Sequence, residues 1–460
     1  MPFTKTLSLA SILFLTTSCV QIKEPTSGSN NPTSQQQGVI VLPAGQGGAV
    51  QQPPYQGGVI IQEPPYQGGV TVQQPPYQGG VIIQEPPVQQ PPYQGGVIVQ
   101  QPPYQGGVTV QQPPIPQGPP IPVAPVPNIF SMNSISSPYL QGSYSNNYKL
   151  KNFINKMVNK HNFRRDYLNG VFSSVRRDTE ALKKIGAFNT AKPSSGSRKL
   201  TPVGSWDKYR SNFLTTARIE KGVNFWRKNE YYLNMAAQTY GVAPAYIVGI
   251  IGVETNFGGY TGKHNILDAL TSISLEFPKR SKFFTMQLES YLLMTRKERI
   301  DPRSIQGSYA GAFGLSQFMP DSFMDYAVDH DGNGQINLFT EADAIGSIAN
   351  FFKVKGKWNE NIPVAMPVRY NKSRFYGIQT GFKTRYSQSY LMSLGMQPTS
   401  DFYGYKGEVA LIKLSRYNRD EMWWGTPNFH SIARYNPKDH YAMAVHQLAQ
   451  AVRMAYWRGR

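Results

Sequence analysis

Cysteine is almost missing: Cys19 is the only one in 460 residues, so no disulfide can form within the chain and pairing cannot reveal the redox compartment. Charge is almost missing from the first 130 residues, which hold only Lys5, Lys23, Glu24, Glu63 and Glu85. Acidic side chains are scarce in the remainder. Without those two lysines and three glutamates, the rest of the chain has 44 basic against 24 acidic residues, and it carries all six Trp. That excess favours polyanions: nucleic acid, anionic lipid or an acidic wall polymer. No Lys/Arg cluster with interleaved aromatics is present, which excludes nucleic acid as the expected partner. The N-terminal apolar run, Leu7 to Leu15, is too short to span a membrane.

The residues flanking that run are informative. Lys5 precedes it, and the small residues Thr16-Thr17-Ser18 lead into Cys19. The arrangement resembles a bacterial lipoprotein signal, with residues 1–18 removed and Cys19 lipidated. Thr16 stands where a bulky residue is usual, with Leu15 one place further out. Val20-Gln21 lacks the aspartate of inner-membrane retention. The expected location is therefore the periplasmic side of the outer membrane, with the membrane reached through the lipid.

Residues 19–140 form the next region, poor in charge and rich in Pro, Gly and Gln. Pro-Pro-Tyr-Gln-Gly-Gly recurs from Pro53, Pro64, Pro75, Pro91 and Pro102. Proline opposes helix, and little apolar surface is available to offset ordering entropy. An extended, partly polyproline tether is expected. Partner or glycan binding by the repeated tyrosines is the alternative.

From 141 to 460 the texture is helical and aromatic. Phe213 to Val242 reads as two helices separated near Gly222, followed by helices over Ile266 to Phe277, Phe284 to Met294 and Tyr441 to Trp457. Residues 363–428 alternate over short runs such as Val409-Ala410-Leu411-Ile412-Lys413-Leu414, as a small β-rich insertion would. The fold class expected is mainly α.

Three segments carry chemistry. In Gly249-Ile250-Ile251-Gly252-Val253-Glu254-Thr255, Glu254 is the only ionisable group of an apolar helix that Pro244 can start and Gly258-Gly259 can stop. Burial penalises the charged form, so this carboxyl would keep its proton near neutral pH and serve as a general acid. In Gly307 to Pro320, small residues alternate with Ser308 and Gln317, which could hold sugar hydroxyl or acetamido groups or merely satisfy local backbone. Asp329-His330-Asp331-Gly332-Asn333-Gly334-Gln335-Ile336 matches the front of an EF-hand loop, with the Gln335 carbonyl as a ligand. Its twelfth position is Thr340 in place of a bidentate Glu, and a loop lengthened to 329–343 could end on Asp343.

Together these segments resemble the membrane-bound lytic transglycosylase B family, glycoside hydrolase family 103, from about Trp206 to Met454. The resemblance implies a lysozyme-like core with an N-terminal helical part. It implies cleavage of the bond from N-acetylmuramic acid to N-acetylglucosamine in peptidoglycan, with formation of a 1,6-anhydro end. It places the acid/base on Glu254 and substrate contacts on Tyr209, Ser308, Gln317, Phe351, Tyr435, Asn436 and Tyr441. Phe351 departs from the family's Tyr and would lack a hydroxyl contact. Calcium, in a structural role, would take Asp329, Asp331, Asn333, the Gln335 carbonyl and Asp343. A monomer acting on peptidoglycan is expected. The rivals are a water-using muramidase, whose nearest second carboxylate is Asp268, and a wall-binding lipoprotein without activity.

Overall fold

Asn147 starts the first described helix by accepting the amides of Lys149 and Leu150 on its side chain, so α1 is Tyr148–His161. The computed structural model describes residues 135–190, 202–370, 377–400, 402 and 404–459. Cys19, the leader and the five repeats lie outside the described residues. After α1 come α2 (Arg165–Ser173), α3 (Thr179–Thr190), α4 (Ser205–Arg210), α5 (Thr216–Lys228), α6 (Glu230–Tyr240) and α7 (Pro244–Thr255). A two-residue strand β1 (His264–Asn265) precedes α8 (Ile266–Glu276) and α9 (Ser281–Lys297), and it pairs antiparallel with β2 (Gln306–Gly307). Then come α10 (Pro320–Tyr326) and α11 (Glu341–Phe351), the latter ending in a π-helical turn over Phe352–Gly356.

One helix boundary differs from the sequence expectation. No break falls at Gly222; α5 runs through it to Lys228, and the break is at Asn229. The glycine serves packing: a Cβ at 222 would lie 2.5 Å from Val452 Cγ2 and 3.0 Å from Phe257 Cζ. Removing the side chain brings the C-terminal helix close.

The β-rich part is a four-stranded antiparallel sheet, made of β3 (Ala365–Arg369), β4 (Gln397–Pro398), β5 (Ala410–Ser415) and β6 (Asp420–Gly425) in the order β4-β3-β6-β5. It includes one helix, α12 (Gln388–Ser393), whose Leu391 joins Met366, Val368, Leu411, Met422 and Trp424 in a separate small core. The chain returns to the helical body through α13 (Pro427–Tyr435) and α14 (Asp439–Arg458).

The main core gathers around α7, which packs against α5, α6, α11 and α14. Every residue from Ala245 to Thr255 is buried. A helix apolar on all sides needs cover on all sides, and these four helices provide it. Among the described residues, no single helix is long and apolar enough to cross a membrane; α6 and α7, apolar together, are bent by 116°.

Candidate active site

Pro244 occupies the first turn of α7, where its missing N–H costs nothing. The stop differs from expectation. The left-handed turn begins at Asn256 (φ 53°) and Phe257 (φ 59°), before Gly258 (φ 79°). Asparagine tolerates this region, whereas a bulky residue there is uncommon and strained. The Phe257 ring stands against Phe225, with centroids 5.6 Å apart, and fills the space beside Gly252. The chain is thus reversed directly after Glu254. Arg218 on α5, a residue that sequence reasoning passed over, donates to the Gly252 carbonyl at 2.7 Å and satisfies one orphan acceptor at the helix end. Its only signal in the chain was one basic residue among many.

Glycine spacing sets how close α14 approaches. A Cβ at Gly249 would meet the Val445 carbonyl at 3.0 Å, and one at Gly252 would meet Leu448 Cδ2 at 2.8 Å. At this separation the Tyr441 hydroxyl donates to Glu254 Oε1 at 2.6 Å. Glu254 is only 4% exposed. Burial pushes its carboxyl up to about 8, against the opposing pull of the Tyr441 hydroxyl, which favours the carboxylate. At neutral pH the group carries its proton.

Three tyrosines face this carboxyl closely enough to feel its charge. Burial first, and Glu254 next, raise the hydroxyl pKa of Tyr209, Tyr435 and Tyr441. Tyr441 is spent on Glu254, and Tyr435 donates to the Ser316 carbonyl at 2.5 Å. The Tyr209 hydroxyl and both amide atoms of Asn436 are buried and find no hydrogen-bond partner among the described residues. Such unpaired groups each cost about 1–3 kcal/mol, which a hydrogen-bonding ligand would offset. Phe351 lies edge-on to Tyr435, centroids 4.8 Å apart, within a cluster that includes Phe318 and Tyr326. Trp206 and His440, missing from the sequence expectations, both pack on the Tyr209 ring.

The Gly307–Pro320 stretch folds into a tight loop. Ser308 Oγ accepts the Ala312 amide, and Gln317 (φ 50°) donates to the carbonyls of Thr261 and Gly314. Both side chains therefore bond local backbone, leaving the Ser308 proton and Gln317 Oε1 for other partners. Gly314 is obligatory: a Cβ there would lie 2.6 Å from Leu338 Cβ, at φ 71°. The loop is tied to the end of α7 by the Thr255 hydroxyl, which donates to the Leu315 carbonyl at 3.5 Å, and to α13 by Tyr435.

Asp268, the candidate second carboxylate, accepts the Arg176 amide at 2.9 Å and supports the turn between α2 and α3. It is engaged structurally.

Asp329, Asp331 and Asp343 bring carboxylate oxygens within 4.8 Å of one another. Asp329 accepts the amides of Gly332, Asn333 and Gly334, which wraps the loop around it. Asp343, fully buried at the start of α11, accepts the amides of His330 and Asn337. Burial, with Asp331 and Asp329 adding to it, pushes its carboxyl up to about 6 despite those two amides. Three crowded carboxylates that pair with no cationic side chain among the described residues suit a hard divalent ion. Asn333 Oδ1 accepts the Gln335 amide, and Gln335 Nε2 donates to the Glu298 carbonyl, which fixes the loop's second half. Thr340 only closes a local turn, through its hydroxyl to Asn337 O, and Glu341 pairs with Lys228.

A helical body with a protonated carboxyl buried at a helix end, beside three tyrosines and the Asn436 amide, is the arrangement of an α-helical enzyme with a candidate general acid. Comparison with known proteins names the kind. A transglycosylase SLT domain model matches residues 145–450. The Escherichia coli K12 membrane-bound lytic murein transglycosylase B is 44% identical over 317 residues, covering 68% of this chain and 85% of its own. An Escherichia coli lytic transglycosylase solved in complex with bulgecin A is 42% identical, covers 70% of this chain and 98% of that one, and superposes with a TM-score of 0.63. The same level of likeness holds for an Escherichia coli lytic transglycosylase solved in complex with calcium, over 97% of that chain. A soluble lytic transglycosylase from Pseudomonas aeruginosa is 38% identical over 68% of this chain and all of that one, at a TM-score of 0.61. The chain belongs to the membrane-bound lytic transglycosylase B family, and its helical body is lysozyme-like.

Proposed function

We propose that this lytic transglycosylase cleaves the N-acetylmuramic acid to N-acetylglucosamine bond of peptidoglycan with Glu254 as its one acid and base. The observation that carries this reading is a carboxyl held neutral up to about pH 8 by burial, one hydroxyl away from Tyr441. Glu254 gives its proton to the bridging oxygen as the bond to C1 breaks, and positive charge develops on the ring oxygen and C1. The C6 hydroxyl of the same sugar then closes on C1 and returns a proton to the carboxylate, leaving a 1,6-anhydro end. Attack from within the substrate replaces a bimolecular step with water by an intramolecular one. Tyr441 steadies the carboxylate between the two proton transfers. Tyr209 and Asn436, whose side-chain polar atoms have no partner among the described residues, bond the substrate, and Ser308 and Gln317 offer it the proton and oxygen that local backbone leaves over. Tyr435 and Phe351 supply ring surface beside the reacting sugar.

The test is Glu254→Gln assayed on purified sacculi: anhydro-muropeptides vanish while sacculus binding persists. Unchanged lysis would remove Glu254 from the reaction. A muramidase would instead release reducing ends, and Asp268, committed to the Arg176 amide, is poorly disposed to activate water.

Calcium fits the loop of Asp329, Asp331, Asn333, the Gln335 carbonyl and Asp343, because these crowded acids need a cation. Support comes from a relative solved with calcium. The ion would be structural, binding 329–343 to the start of α11, and supplies no chemistry to the acid. The chain is further read as reaching the periplasmic face of the outer membrane through a lipid on Cys19, in keeping with the membrane-bound name of its Escherichia coli relative.

A further inference from the structure

A second cavity, of about 690 Å³, lies between the helical body and the β-sheet, lined among others by Tyr246, Trp358, Trp423, His446, Gln450 and Arg453. Its volume falls within the usual range for small-ligand sites. Glu254 does not line it; Tyr246 is eight residues earlier on α7, about 12 Å along the helix.

Its walls are ordered by two chains of hydrogen bonds. Gln450 Nε2 donates to Tyr246 Oη at 3.1 Å, and that hydroxyl lies 3.1 Å from His446 Nδ1. The phenol oxygen accepts from Gln450 and either gives its proton to Nδ1 or accepts one from it, so His446 Nε2 is a donor in one tautomer and an acceptor in the other. Burial keeps the ring neutral, lowering its pKa to about 4. Nε2 bonds no group among the described residues. The second chain begins at Asp207, which pairs with Arg416 at 2.6 Å. Arg416 holds Glu421 at 2.7 Å, and Glu421 accepts the Trp423 indole N–H at 2.8 Å. Trp423 is thereby fixed edge-on to His446, at 81° and 5.8 Å. Trp358 and Tyr246 add two tilted rings with centroids 5.0 Å apart. Exposed Arg453, Glu360 and Asn361 also line the cavity.

Rigid aromatic faces bind the C–H faces of a pyranose, while the imidazole nitrogen and polar side chains at the edge bond its hydroxyl and acetamido groups. A neutral imidazole nitrogen suits a hydroxyl or acetamido group, either of which can donate or accept. We propose that this cavity is a second glycan-binding site, taking an N-acetylated hexosamine of the peptidoglycan strand outside the reacting subsites. The inference rests on the proposed action on peptidoglycan.

The test is calorimetric titration of the full-length protein with N-acetylglucosamine trisaccharide. Two binding events are expected, of which Trp423→Ala removes one or weakens it about tenfold or more. Arg453→Ala, on the exposed rim, weakens the same event and keeps the test open should Trp423→Ala fold poorly. Turnover of a soluble tetrasaccharide should match wild type in both variants, whereas KM on intact sacculi rises. A single event insensitive to both substitutions, or recovery of the lost event with a stem peptide in place of the sugar, would overturn the proposal. Failure of the catalytic reading is read separately, from the products of Glu254→Gln.

Discussion

Tyr441→Phe isolates the hydroxyl that sits on the acid. Phenylalanine keeps the buried ring and deletes only the 2.6 Å bond to Glu254 Oε1. That bond favours the carboxylate over the acid, opposing the burial that lifts the group to about 8. A hydrogen bond to a charged group contributes about 1.5–3 kcal/mol. At 1.36 kcal/mol per pKa unit, its loss moves the Glu254 pKa up by about one to two units. The acid form is the one that starts the reaction. In wild type kcat/KM is therefore flat below about pH 8 and falls above it, with no acidic limb from this group. In the variant the fall moves to higher pH. The plateau drops too, because the ionised intermediate loses the same stabilisation, up to about 10–100-fold in kcat. The assay is initial rate of anhydro-product release from a soluble tetrasaccharide between pH 6 and 10. A limb that stays put, or moves down, refutes the assigned balance between burial and hydrogen bond. An acidic limb in wild type would point to a second carboxylate.

The same geometry sets other outcomes. Gly252→Ala places a methyl 2.6 Å from Phe257 Cζ and 2.8 Å from Leu448 Cδ2, and should cost about 1–3 kcal/mol by thermal or urea unfolding. Gly332→Ala meets no steric clash but carries φ +74°, so a smaller loss, about 1 kcal/mol, is expected from backbone strain alone. Chelation should lower Tm, since an ion at a hundredfold excess over its Kd stabilises the fold by about 2.7 kcal/mol; Asp343→Asn should abolish the response. Arg218→Met should lower kcat on sacculi with little change in KM, because its bond to Gly252 O positions the end of α7.

Much of the molecule was legible in the chain. The lone carboxylate in an apolar helix, the proline at its start and the acidic loop at 329–343 are local patterns, and local patterns survive folding. The same holds for the alternation that marks β5, and for the helix over Ile266–Glu276. Gly222 misled because a glycine looks the same whether it ends a helix or clears room for Val452. Asn256 and Phe257 took the left-handed turn that Gly258-Gly259 offered, because packing of the Phe257 ring outweighed local preference.

By itself, then, the amino-acid order determined which segment would be greasy, where its single carboxyl would sit and which oxygens could crowd around a cation, since those depend on neighbours along the backbone. Only tertiary structure decided that Tyr441, 187 residues away, would rest on Glu254, that the Tyr209 hydroxyl and the Asn436 side chain would find no partner among the described residues, and that Asp268 would be spent on a turn. Those facts arise from helices brought within a glycine's width of each other, a distance no periodicity encodes.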